Sequence, residues 1–210
     1  MAVPALALAL FALDGLLAVG LRMAVQLRRT GATGFKGMGR SSRPAERVGG
    51  LLFVGAVALC AAGPALQLAG TVNPLQALSG DGAHVIGIAL ASAGIAITLF
   101  AQLAMGDGWR IGVDPGERTE LVTHGPFALV RNPIYAAMIP SFWGVALLAA
   151  NIVTLAGALL LVAALELQTR LVEEPYLAAV HGEVYAAYAA RVGRFAPTIG
   201  RRRLDADAPR

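Results

Sequence analysis

Residues 119–135 read TELVTHGPFALVRNPIY, at the mouth of an apolar hairpin that returns the chain to Arg170, Glu173 and Glu174. The stretch holds a Gly-Pro pair, an aromatic, an arginine, an Asn-Pro pair and a tyrosine. From 134 to 169 the following 36 residues carry one charge, Glu166. At about 1.5 Å per residue that run would make a helix of roughly 54 Å, too long for one crossing of a ~30 Å hydrocarbon core. Asn151, at its middle, is the natural turning point. Two spans bring the chain back to the face it left, so Arg131 and Glu173 are expected to meet.

Outward from the hairpin, composition points the same way. The chain of 210 residues is 57% hydrophobic and only 14% charged, which places it with membrane proteins. A net charge of +4 could suggest nucleic acid, but the location of the charges argues for a membrane surface and no nucleic-acid partner. The single cysteine, Cys60, lies in an apolar run and excludes a disulfide framework or a cysteine-based metal site within one chain.

Three further spans precede the hairpin. Residues 4–25 form the first; the first arginine is Arg22, so the basic leader of a secretory signal is missing and a retained helix is expected. Asp14 near its centre is costly in lipid and should face the bundle or a polar cavity, in a structural or a functional role. Residues 48–68 form the second, with a break expected at Gly63-Pro64, and residues 84–105 the third. His84, at the edge of the third span, reads as an interfacial residue because no partner stands at ligand spacing. The glycine-rich loop between the first two spans lacks the GxxxxGK[ST] pattern of a phosphate cradle and reads as facing lipid headgroups.

Basic residues then set the topology. Loop one carries seven Lys/Arg, loop two none, loop three three, the Asn151 turn none and the tail seven, which accounts for all 17. In a five-span model every one lies on the same side. The positive-inside rule makes that side cytosolic and puts the N-terminus outside, in an inner or plasma membrane. Past Glu174, Pro175 should break or kink the chain. A new amphipathic helix to about Val192 follows, with Leu177, Val180, Val184, Tyr185, Tyr188 and Val192 on one face. After Pro197 the sequence reads as a disordered basic tail. The expected fold is an all-α integral membrane bundle of five transmembrane helices, with a cytosolic pocket and a C-terminal amphipathic helix. Its parts are residues 1–105 (three helices and a basic loop), 106–197 (a core with the hairpin) and 198–210 (the tail).

The groups gathered at the inner mouth suit a zwitterionic, aromatic, cationic ligand lying where water meets lipid. Arg131 offers a planar fork for a carboxylate or phosphate. Glu173 and Glu174 can accept hydrogen bonds from an amino group or from hydroxyls, and Phe127 and Tyr135 offer ring faces. A simple Arg131–Glu173 ion bridge near the membrane surface is the plainer alternative.

The blocks LVTHGPFALVRNPIY, EEPYL, HGEVYAAY and RVGRFAP resemble the isoprenylcysteine carboxyl methyltransferase family, whose relatives include bacterial membrane methyltransferases and phospholipid N-methyltransferases. The resemblance covers residues 112–197, under half the chain. It implies a membrane enzyme that transfers the methyl group of S-adenosyl-L-methionine to a lipophilic acceptor: an isoprenylcysteine-like carboxylate, or another lipid-like carboxylate, thiol or amine. Carried over by position, the cofactor contacts fall on Thr119, Glu120, Leu121, Val122, Phe127, Asn132, Pro133, Ile134, Tyr135 and Glu173, beside the Arg131 already singled out. The family's Arg-His-Pro is here Arg131-Asn132-Pro133, and its substrate-side arginine falls on Thr169, with Arg170 one residue later. Arg170 and Glu173 are therefore the candidates for positioning the acceptor. No metal is implied, and nothing in the sequence specifies an oligomeric state. Readings from other classes are a membrane reductase with a nicotinamide cofactor and a non-catalytic membrane subunit.

Overall fold

The computed structural model describes residues 3–35, 44–112 and 120–202. Among these the chain is helical apart from loops and isolated bridges. Helix α1 (Val3–Thr30), α2 (Pro44–Leu68) and α3 (Asp81–Ala104) are long and apolar enough to cross a membrane. Helix α4 (Pro133–Ala149) is shorter at 17 residues, about 25 Å at the helical rise. Helix α5 (Ile152–Gln168) continues through a π-helical turn (Thr169–Glu173) into α6 (Glu174–Arg191). The apolar span within this long helix ends at Gln168. The result is a bundle of five apolar helices with α6 at one end.

Small residues set the packing. Without a hydrophobic driving force inside lipid, helices associate where their backbones can come close. Helix α3 lies against α4, and α2 against α5. A Cβ on Gly144 would come within 2.4 Å of the Ala91 nitrogen, and one on Gly94 within 2.7 Å of Ser141. Gly157 makes the same notch for Cys60, at 2.7 Å from Sγ. Helix α1 closes the bundle, with Phe11 edge-on to Phe142 at 5.3 Å between ring centres. The buried Asp14 accepts a 2.7 Å hydrogen bond from Ser141 Oγ on α4. It faces the bundle, as its cost in lipid requires.

The turn at Asn151 is as expected, and every polar group of its side chain is used. Ala150 takes a left-handed conformation (φ 46°), and Asn151 caps α5 by accepting from the Thr154 amide at 3.0 Å. Its Nδ2 donates to the Gly63 carbonyl at 3.0 Å and to Gln67 Oε1 at 2.9 Å. The break expected at Gly63-Pro64 is absent: α2 runs on to Leu68. Gly63 is instead the point where α2 touches the tip of the hairpin, since a Cβ there would meet Thr154 Oγ1 at 2.0 Å.

Helix α6 keeps the expected bounds but not the expected face. Tyr185 and Tyr188 are buried, whereas Val184 is 67% exposed. Gly182 (φ 50°, ψ −126°) interrupts the helix, so three-four spacing counted across it does not predict one face. The chain after α6 also departs from the tail reading. Arg194 N donates to the Ile199 carbonyl at 2.7 Å, and Arg202 N to that of Ala189 at 3.0 Å. Residues 193–202 thus form a fastened strap, while 203–210 lie outside the described residues.

Candidate functional site at the inner end of the hairpin

Two prolines shape the entry to α4. Pro133 stands at the first helical turn, where its missing N–H costs nothing, and Asn132 precedes it outside the helical region, at φ −124° and ψ 65°. The Asn132 amide and its Nδ2 both donate to the Arg194 carbonyl, at 3.0 and 3.3 Å. The Arg131 amide donates to the Gly193 carbonyl at 2.8 Å. Gly193 has no room for a side chain, since a Cβ would sit 2.0 Å from the Ala196 carbonyl oxygen. The strap after α6 is therefore bound edge-on to the RNP turn.

Arg131 does not meet Glu173, as the sequence led us to expect, but Glu174. Its Nη2 donates to Glu174 Oε1 at 2.7 Å and to the Gly200 carbonyl at 3.0 Å. Its Nη1 donates to the carbonyls of Ala189 and Val192. Arg194 adds two bonds to the same carboxylate, at 2.8 and 3.1 Å. Glu174 is only 6% exposed, so this ion pair is shielded from solvent. Burial pushes its carboxyl up, but the hydrogen bonds and charges of Arg194 and Arg131 outweigh this and hold it below the ordinary range.

Glu173 belongs to a different environment. Tyr135 Oη, from the first turn of α4, donates to Glu173 Oε1 at 2.5 Å. Desolvation pushes the Glu173 carboxyl up, against hydrogen bonds from Tyr135 and Gln168 and the nearby charge of Arg110. Adjacent positions on a helix point about 100° apart. Here that divergence sends one glutamate into an arginine cage and the other to a tyrosine.

Of the remaining candidates, Pro126 and Phe127 are buried, and the Phe127 carbonyl accepts from Tyr188 Oη at 2.6 Å. Leu121 packs on the Tyr185–Tyr188–Ala189 cluster. Val122 and Ile134 are half-buried, Glu120 is exposed, and Thr119 lies outside the described residues. Arg170 is exposed and pairs with Glu166 one turn earlier at 2.5 Å, where the two line a shallow groove with Ala163, Leu167 and Leu171. Thr169, at the family's arginine position, is fully buried, and its Oγ1 has no partner.

Two features escaped the sequence reading. Arg110 donates to Tyr176 Oη at 3.3 Å and lies over that ring; its position three residues before unpatterned loop sequence gave no signal. Arg22 is 1% exposed, donates to the Gly106 carbonyl and stacks on Trp109 at 4.9 Å. Counted only as a loop charge, it ties α1 to the turn after α3.

No curated protein matches the chain. A family model described as phospholipid methyltransferase matches residues 83–184, from α3 through the hairpin and the Tyr135–Glu173 contact into α6. The matched region is similar to that family over just under half of the chain, and the described helices include four long and apolar enough to cross a membrane.

Proposed function

We propose that this methyltransferase uses S-adenosyl-L-methionine and methylates a lipophilic acceptor drawn from the bilayer. The observation that carries the reading is the Tyr135–Glu173 hydrogen bond, which joins two blocks of the family resemblance 38 residues apart at one end of the hairpin. The donor set fits the cofactor. An ionised carboxylate accepts through two oxygens, so Glu173 can take the cofactor's ammonium while held by Tyr135. Residues 120–123, in neither helix nor bridge, offer backbone groups to a flat base, with Leu121 and Val122 beneath. The Asn132 turn closes the other side.

S-adenosyl-L-methionine, when bound, supplies a sulfonium-activated methyl group. What remains for the protein is to align the acceptor in line with the methyl carbon and to exclude water. A carboxylate acceptor is already ionised and needs no base. A thiol or amine acceptor must lose a proton; Glu174 is engaged by two arginines, leaving Glu173 and His181 as acceptors for it. Arg131 is reassigned from ligand fork to positioning residue: it holds Glu174, α6 and the strap, and so fixes Asn132. Arg170, exposed beside Glu166, suits an acceptor headgroup better than the cofactor. Residues 106–197 serve as the methyltransferase core on a scaffold of the first three helices, and the basic end of the bundle faces the cytosol. Incubating the reconstituted protein with methyl-labelled S-adenosyl-L-methionine and lipid extract tests the reading. Label in the organic phase is expected, and none with any lipid, thiol or amine acceptor would overturn it.

A further inference from the structure

Glu173 can hold an ammonium only if its carboxylate is ionised and aimed, and a glutamate side chain loses rotamer freedom when it is fixed. Tyr135 supplies one restraint, the 2.5 Å hydrogen bond to Oε1. A second comes from Gln168, the last residue of α5, whose side chain hydrogen-bonds the same carboxylate. In an α-helix, positions five apart diverge by about 140°. Between Gln168 and Glu173 runs the π-helical turn, in which the Glu174 amide donates to the Thr169 carbonyl. That wider turn brings the two side chains toward one face. The other end of the Gln168 amide is set by α2. A Cβ on the buried Gly49 would stand 3.0 Å from Gln168 Oε1 and 3.2 Å from Leu167 Cδ2. With the oxygen against α2, the amide nitrogen is the donor to Glu173, since an ionised carboxylate only accepts.

We propose that Gln168 is a positioning residue of the cofactor site: with Tyr135 it holds the Glu173 carboxylate, and the Gly49 notch on α2 seats its amide. The inference rests on the methyltransferase reading, in which Glu173 takes the cofactor's ammonium. Neither Gln168 nor Gly49 is among the contacts carried over from the family resemblance, and Gly49 lies outside the matched residues 83–184. A carboxylate has about four acceptor sites, so the bonds from Tyr135 and Gln168 leave others for a ligand. A carboxylate already held in place loses less freedom when the cofactor binds.

The test titrates S-adenosylhomocysteine into the purified full chain by calorimetry. Gln168→Met keeps the length of an unbranched side chain but removes the donor. Affinity is expected to fall roughly three- to tenfold, the range of one net hydrogen bond. In a Glu173→Gln background the same substitution should change affinity by less than about twofold, because Gln168 acts through Glu173. The pH profile separates positioning from packing. The Gln168 hydrogen bond favours the ionised form of Glu173, so without it the carboxylate protonates at higher pH. As pH falls, Gln168→Met should therefore lose binding about one pH unit before the parent. Glu174 and Arg110, whose charges also act on Glu173, are the same in both proteins. Gly49→Ala displaces the amide while leaving Gln168 in place; it should give the same shift in smaller measure, and serves if the Met variant fails to fold. Undiminished affinity, equal losses with and without the Glu173 charge, or an unmoved pH profile overturn the assignment while leaving the methyltransferase reading intact. An unmodified protein that does not bind S-adenosylhomocysteine overturns the reading and this inference with it.

Discussion

Replacing Glu174 with Gln should unfold the inner end of the protein rather than merely weaken a ligand. The carboxylate accepts three hydrogen bonds, from Arg131 Nη2 at 2.7 Å and from Arg194 Nε and Nη2 at 2.8 and 3.1 Å. With Gln, two largely buried guanidinium groups lose their counter-charge. Removing one partner of a buried ion pair typically costs about 3–5 kcal/mol, because the remaining charge is left uncompensated. The lower end applies here, since Arg194 Nη1 already lies 3.8 Å from Glu166 Oε2 and can lean on it. For a chain of this size each kcal/mol shifts the midpoint by about 2–4 °C, so a fall of roughly 6–12 °C is expected in thermal unfolding of the purified protein. The dependence on pH follows. The Glu174 carboxyl is held below its ordinary value of 4.5 when folded. Its contribution is therefore complete above that value and is lost as pH falls through the folded pKa. Glu173 is displaced upward, so its ionisation at neutral pH opposes folding, and Glu173→Gln should unfold no lower than the parent. An E174Q protein as heat-stable as the parent at pH 7, or one destabilised no more than E173Q, would refute the arginine cage as a structural element.

Two further outcomes follow from the same geometry. Asn132→His should change S-adenosylhomocysteine affinity by less than about tenfold, ~1.4 kcal/mol, because the backbone bond from residue 132 to Arg194 survives and an imidazole can donate in place of Nδ2; calorimetric titration checks it. In a Cys60→Ala background, a cysteine at Ala77 should react with an impermeant thiol reagent applied to intact cells, and one at Thr33 should not. The reverse pattern inverts the orientation drawn from the basic residues.

Much of the fold was legible because lipid imposes simple rules. A run of 36 residues with one charge had to turn, and Asn151 was the residue able to cap the second helix. The continuation through Pro64 was not legible: a proline signals a lost hydrogen bond, but not whether tight packing on Thr154 and Asn151 keeps the helix whole. At the site, pairing from sequence reached the right elements and the wrong neighbour. The π turn over Thr169–Glu173 adds a residue to one turn and changes which glutamate faces Arg131, and nothing in the local sequence announces it. The strap and its bond to Asn132 were hidden for a related reason. A segment with three arginines reads as a basic tail, although its Gly193 and Gly200 allow a turn that backbone bonds hold down.

The central claim is that Glu173, and not Glu174, binds the cofactor. S-adenosylhomocysteine titrated into the parent protein and into Glu173→Gln, both verified as folded by thermal unfolding, tests it most directly. Gln keeps the shape and removes the charge, so the account predicts binding to the parent and a loss of roughly 1.5–3 kcal/mol in the variant, about ten- to a hundredfold in Kd. Undiminished affinity in E173Q would contradict it and move the cofactor away from the Tyr135–Glu173 contact.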